Sequence, residues 1–361
     1  MKNINFKLSS LAAATFLLTA CGGGGGSDTS STTPAPQINQ SVPLIMTVAE
    51  PTYTVASGEL AAFNYLNAER SHCGFGKVAQ NTFLDKAGKN HATYYRANPA
   101  SSTNSPHSET RGLTGFTGVT PDDRAMAAGY SSKVGEVGAF ANAWRNLEYV
   151  APYDTTVIAY NGVRGLMNAP YHTLQMISSA VEVGLGTHKD EINANGVQEL
   201  NAATFLVFGY GKTISGQLPT SGTGVRTYPC EGTRNIIPKF NGEWTGGAPV
   251  EGNRNIISNP LGHPITVIGE HGKTLRLTSA AIVNVATGLD IGVYALRTKE
   301  NDPNPQLLWN DWSGYIFPNQ AFIPGQKYQA TINGTSGGAA FSKTFSFWSG
   351  EKEDEQTALV N

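Results

Sequence analysis

Leu166 to Gly186 reads LMNAPYHTLQMISSAVEVGLG, and it changes period part-way along. In its last third Val181, Val183 and Leu185 are apolar at every second position, the period of a strand with one buried face. Phe205 to Tyr210 forms a second apolar run, and the polar, Asn-rich chain between the two makes the pair an antiparallel hairpin. Upstream the period is helical. Pro170 breaks a helix that runs on from a cap at Asp154 and includes Leu166.

Further upstream, Ser57 stands as an N-cap before Leu60, Phe63 and Leu66, and Gly74 stops the pattern. Thr82 to Arg96 predicts a second helix, with Leu84, Ala87, His91 and Tyr95 on one face. A long polar loop from Asn98 to Val119 follows. Thr120-Pro121-Asp122-Asp123 opens a third helix that Gly129 closes, and Val134 to Val137 reads as a short strand or turn. Helices mixed with an antiparallel hairpin predict an α+β class. Downstream the pattern is all strand from His263: Ile265–Ile268, Thr274–Val283, Gly292–Arg297, Tyr328–Ile332 and Phe341–Trp348, with turn signals at Asn301-Asp302-Pro303 and Asn333-Gly334. That predicts a small all-β sandwich.

The N-terminus sets the expected compartment. Lys2 and Lys7 precede an apolar run, Leu11 to Leu18, too short to cross a bilayer as a helix. It leads into Leu18-Thr19-Ala20-Cys21, which resembles a bacterial lipobox. That resemblance implies cleavage before Cys21, lipidation of its thiol and membrane attachment through the acyl chains. Gly22 rather than Asp follows the cysteine, which in the Gram-negative sorting pattern points to the outer membrane. Gly22 to Gly26 and the Ser/Thr/Pro run after them have little to bury and read as a flexible tether. The expected organisation is a signal peptide over 1–20, the tether over 21–49, an α+β domain over 50–215, an extended connection over 216–262, the β-sandwich over 263–350 and a charged tail over 351–361. With 25 Lys and Arg against 27 Asp and Glu, the 361-residue chain lacks the basic excess of a nucleic-acid binder. Cys73 and Cys230 remain once Cys21 is lipidated, and in an oxidising envelope an even pair implies one bridge.

Five stretches in order resemble the CAP superfamily of cysteine-rich secretory, antigen 5 and pathogenesis-related proteins. They are FNYLNAER, FLDKAGKNHATYY, HSE, VGEV and the quoted LMNAPYHTLQMISSAVEVGLG, together covering about Ser57 to Tyr210. The resemblance implies a three-layer α-β-α sandwich with a central antiparallel sheet. It also implies a cleft lined by His107, Glu136 and His172, with Glu109 as candidate fourth group. The family's second acid is missing, because no Asp or Glu stands between Thr155 and Tyr171, and Gly-Glu-Asn has become Gly-Glu-Val. FIPGQKYQATI and KTFSFWS resemble immunoglobulin-like or fibronectin-like modules.

Two imidazoles and one or two carboxylates would suit a divalent metal such as zinc, and without metal they could exchange protons. No His-Glu-x-x-His or Gly-x-Ser-x-Gly signature is present to favour a protease or serine hydrolase. His91, on an apolar helical face, reads as a packed core residue; His72 and His188 have no role assigned, the latter in a turn. The expected function is a membrane-anchored, extracytoplasmic binding module for a lipid, small molecule or protein. The alternatives are a metal-dependent hydrolase of peptide or cell-wall material, and a structural or adhesive surface protein.

Overall fold

Ser57 Oγ accepts from the Leu60 amide and starts α1 (Gly58–His72). The two-residue strand β1 (Ala79–Gln80) follows, and Asn81 then caps α2 (Thr82–Ala97). Both helices lie within a residue or two of where the sequence predicts them. So does α3 (Pro121–Ala128), which begins in a reciprocal capping box between Thr120 and Asp123 and ends at left-handed Gly129. These descriptions come from a computed structural model that describes residues 41–99, 105–146, 155–194, 197–211, 216–219, 224–243, 255–308 and 310–350. The leader, Cys21, the tether, the Asp154 cap and the tail from 351 lie outside those residues.

The predicted short strand or turn at Val134 is instead the start of β2, a 13-residue strand (Val134–Asn146). α4 (Thr155–Leu166) precedes α5 (Pro170–Met176), a seven-residue helix that the sequence pattern did not announce. The hairpin is present as β3 (Glu182–Ala194) and β4 (Val197–Gly209), and His188 sits within β3 rather than in a turn. These strands form a sheet of order β1-β3-β4-β2, antiparallel except for the β1/β3 edge.

Strand alternation gives this sheet two unlike faces. Val137, Val183, Leu185, Leu206 and Phe208 point to one face and share a core with Phe63 and Leu66 of α1 and Val163 of α4. Ala203, Phe205 and Val207 point to the other, against α2 and α3. Gly184 and Gly186 explain how closely α2 lies on β3. A Cβ at either position would come within 2.1 Å or 1.9 Å of α2 backbone atoms, a distance no side chain can occupy.

The second part has two sheets, one of order β11-β10-β7 and one of order β5-β6-β9-β8. Its strands are β5 (Arg226–Tyr228), β6 (Ile265–Ile268), β7 (Leu275–Asn284), β8 (Val293–Thr298), β9 (Ser313–Pro318), β10 (Lys327–Ser336) and β11 (Ala339–Trp348). Residues of both sheets share one core, including Ile265, Ile282, Ile316, Ile332 and Phe347. The expected connection over 216–262 is therefore more than a connection: β5 pairs with β6, and Val225 and Ile236 enter that core. Asn333-Gly334 is not a turn either but a register shift inside β10.

Cys73, at the end of α1, and Cys230 form a disulfide with Cα atoms 5.5 Å apart and a sequence separation of 157. The chain-entropy argument credits a loop of that length with about 5 kcal/mol. A second tie is α5, whose Tyr171 and Leu174 share a core with Phe240, Leu261, Tyr315 and Phe317. No helix among the described residues is long and apolar enough to cross a membrane.

Candidate functional site

The polar face of the first sheet gathers a cluster of charged side chains. Glu136 of β2 pairs with Val207 in register, so its side chain points toward α2 and α3. There it is almost fully buried, and a lone buried carboxylate would be costly. Arg124 of α3 answers it: its Nη2 donates to both Glu136 oxygens at 2.8 Å. Burial raises the Glu136 carboxyl, but the Arg124 charge, the bond from His107 and the charge of His91 overcome it and hold the group down to about 2.

Arg124 also fastens the loop that carries His107, since its Nη1 donates to His107 O at 3.1 Å. His107 Nδ1 lies 3.0 Å from Glu136 Oε1, so helix, loop and strand meet at one carboxylate. Behind them, Glu109 is 2% exposed and accepts from the amides of Thr117 and Gly118. Burial raises its carboxyl, yet these amides and His91 together hold it below the usual range.

His91 is packed as expected, buried against Phe205 with ring centroids 4.3 Å apart, but it also joins the cluster. Its Nδ1 is 2.9 Å from Glu109 Oε1 and its Nε2 is 2.8 Å from Pro106 O. A carbonyl oxygen only accepts and the ionised carboxylate only accepts, so the ring that satisfies both carries a proton on each nitrogen. Two carboxylates, one guanidinium and one imidazolium then sum to zero. His107 donates from Nδ1 to Glu136, which leaves Nε2 as the ring nitrogen turned away from that anchor. Its side chain is 27% exposed while the other four are at most 1% exposed, and Nε2 has no partner among the described residues.

His107, Glu109 and Glu136 are thus brought together, with Glu109 serving as a buried brace and not a surface group. His172 is not added to them. It sits on α5, where its Nδ1 is 2.5 Å from Glu243 Oε1 and Glu243 also accepts from the amides of Tyr171 and His172. Of the expected set His107–Glu136–His172, the first two are in contact, and His172 is engaged by Glu243, a carboxylate from the 216–262 segment. Among the described residues, no group of three or more His, Cys, Asp or Glu side chains is arranged to hold a metal ion.

The sequence reading missed two members. Arg124 could have been inferred from the need of two buried acids for a cation, and His91 from its place opposite the His107 loop. No protein-family model matches this chain, and no curated protein matches it.

Proposed function

We propose that the chain is a cell-envelope lipoprotein whose α/β part is of the CAP type and serves as an extracytoplasmic binding module, with His107 as the ligand contact. The observation that carries this reading is the isolation of His107: one partly exposed imidazole on a buried, charge-balanced base, with Nε2 directed away from its Glu136 anchor. A carboxylate behind a histidine fixes tautomer and ring orientation. Such a group accepts a hydrogen bond from an N–H or O–H of a ligand without any change to the base beneath it. Helices on both faces of a mainly antiparallel sheet support the family reading, and the lipobox-like Leu18–Cys21 supports anchoring.

The test is a thermal-shift screen of lipids, small polar molecules and divalent metals on wild type, His107→Ala and Glu136→Gln. A ligand that stabilises wild type and neither variant supports the reading. Substrate turnover that disappears in a His107→Ala/His172→Ala variant would overturn it in favour of a hydrolase. A Cys21→Ser variant that still partitions with membranes would overturn the lipid anchor.

A further inference from the structure

Away from the His107 cluster lies a cleft of about 220 Å³ whose walls include Phe75, Tyr210, Gln217, Arg226, His271 and Trp312. It forms where the end of α1, the turn after α5 and the strands of the β5–β6–β9 sheet come together. Its charges do not balance. Arg70, fully buried under it, donates to the carbonyls of Phe75, Gly76, Met176, Ser178 and Ala180 and to no carboxylate. Arg226 in the cleft wall donates to Gly74 O at 2.9 Å and lies 4.9 Å from the centre of the Phe75 ring. Neither arginine forms an ion pair among the described residues, and the Arg226 charge acts on Arg70. The nearby acid, Glu270, is engaged with Lys273 at 2.8 Å.

Burial without a counter-ion pushes both guanidinium groups down, Arg70 to about 9 and Arg226 to about 10. Both still carry a charge at neutral pH. Two like charges in a low-dielectric wall focus a positive potential into the cleft. Arg70 has spent its donors on carbonyls, whereas Arg226 has one carbonyl for a five-donor fork that matches a carboxylate. Trp312 and His271 line the same cleft with ring centroids 4.3 Å apart and planes tilted by 50°, and Phe75, beneath Arg226, is 2% exposed. The volume is below the roughly 300–1,000 Å³ of drug-sized sites, so the occupant is compact.

We propose that this cleft binds a small organic carboxylate with a flat apolar body, its carboxylate on Arg226 and its body against Trp312. The site is independent of the His107 reading.

The experiment titrates the intact protein with benzoate, benzamide and inorganic phosphate, following the Trp312 indole N–H by NMR, with Trp312→Phe to assign the signal. Benzoate should shift that signal saturably, benzamide should bind at least about tenfold more weakly, and phosphate should not compete. Arg226→Gln should weaken benzoate at least about tenfold, Arg226→Lys should restore part of it, and His107→Ala should leave it unchanged. Equal binding of benzoate and benzamide, phosphate binding in place of benzoate, or unchanged affinity in Arg226→Gln would overturn the proposal. Should Arg226→Gln not fold, the benzoate–benzamide ratio on wild type decides.

Discussion

Glu69 and Glu136 are acids held on opposite sides of one sheet, and their carboxyls move in opposite directions. Glu69, on α1 at the apolar face, is pushed up to about 7 by burial, with only a hydrogen bond from Tyr228 pulling it back. Its Oε2 has no hydrogen-bond partner among the described residues. Glu136, on the polar face, is held down to about 2 because Arg124 and two histidines face it. Burial alone therefore does not decide the ionisation of a carboxyl; what is buried with it does. One face stores an uncompensated acid and the other a complete set of charges.

The sharpest way to break this contrast is to strip the polar face of its cation. Arg124→Met should cost about 4 kcal/mol in urea unfolding at pH 7, since it leaves Glu136 buried without a counter-charge. Adding Glu136→Gln should recover part of that loss; strict additivity of the two changes would show that the pair is not coupled. On the apolar face, Leu206→Ala should cost about 3 kcal/mol through lost contacts and a residual cavity. That cost should be the same at pH 5 and pH 8, because no charge is involved.

Glu69→Gln tests the acid on the apolar side. With a folded value near 7 and an unfolded one near 4.5, the native state holds the proton more tightly. The stability this gives is complete below about 4.5 and is lost as pH rises through 7. The variant should equal wild type at pH 4 and exceed it by on the order of 2 kcal/mol at pH 8. Glu136 has the reverse sign: its contribution is present above about 4.5 and disappears as pH falls toward 2. The smallest effect belongs to Thr120→Ala, which removes the cap of the helix that carries Arg124 and should cost about 1 kcal/mol by urea unfolding.

Helices α1, α2 and α3 were legible because their ends carry local chemistry: Ser57, Asn81 and Thr120 accept from the first turn, and Gly129 ends the third. β9 was not. Ser313–Pro318 is buried at every position, so it lacks the alternation that marks a half-exposed strand. α5 is too short to show a helical period, and β5 lies in a Gly/Pro-rich stretch where three residues pair only because β6 is beside them. At the site, His107 and Glu136 were found through the order of motifs. The hold of Glu243 on His172 was not legible, since it joins residues 71 positions apart by one side chain.

Helix α5 has a consequence for how the chain comes apart. Tyr171 Oη donates to Asp302 at 2.7 Å and lies 3.2 Å from Tyr315 Oη, and Tyr315 in turn donates to Asp302. Asp302 and Tyr315 belong to the all-β part and Tyr171 to the α/β part, and all three are buried. Separating the parts would take the Tyr171 hydroxyl from Asp302 and open the core that Tyr171 and Leu174 share with Phe240, Leu261, Tyr315 and Phe317. Melting should then be a single cooperative event in which neither part survives the other, and a scan of the intact chain should show one heat-absorption peak rather than two.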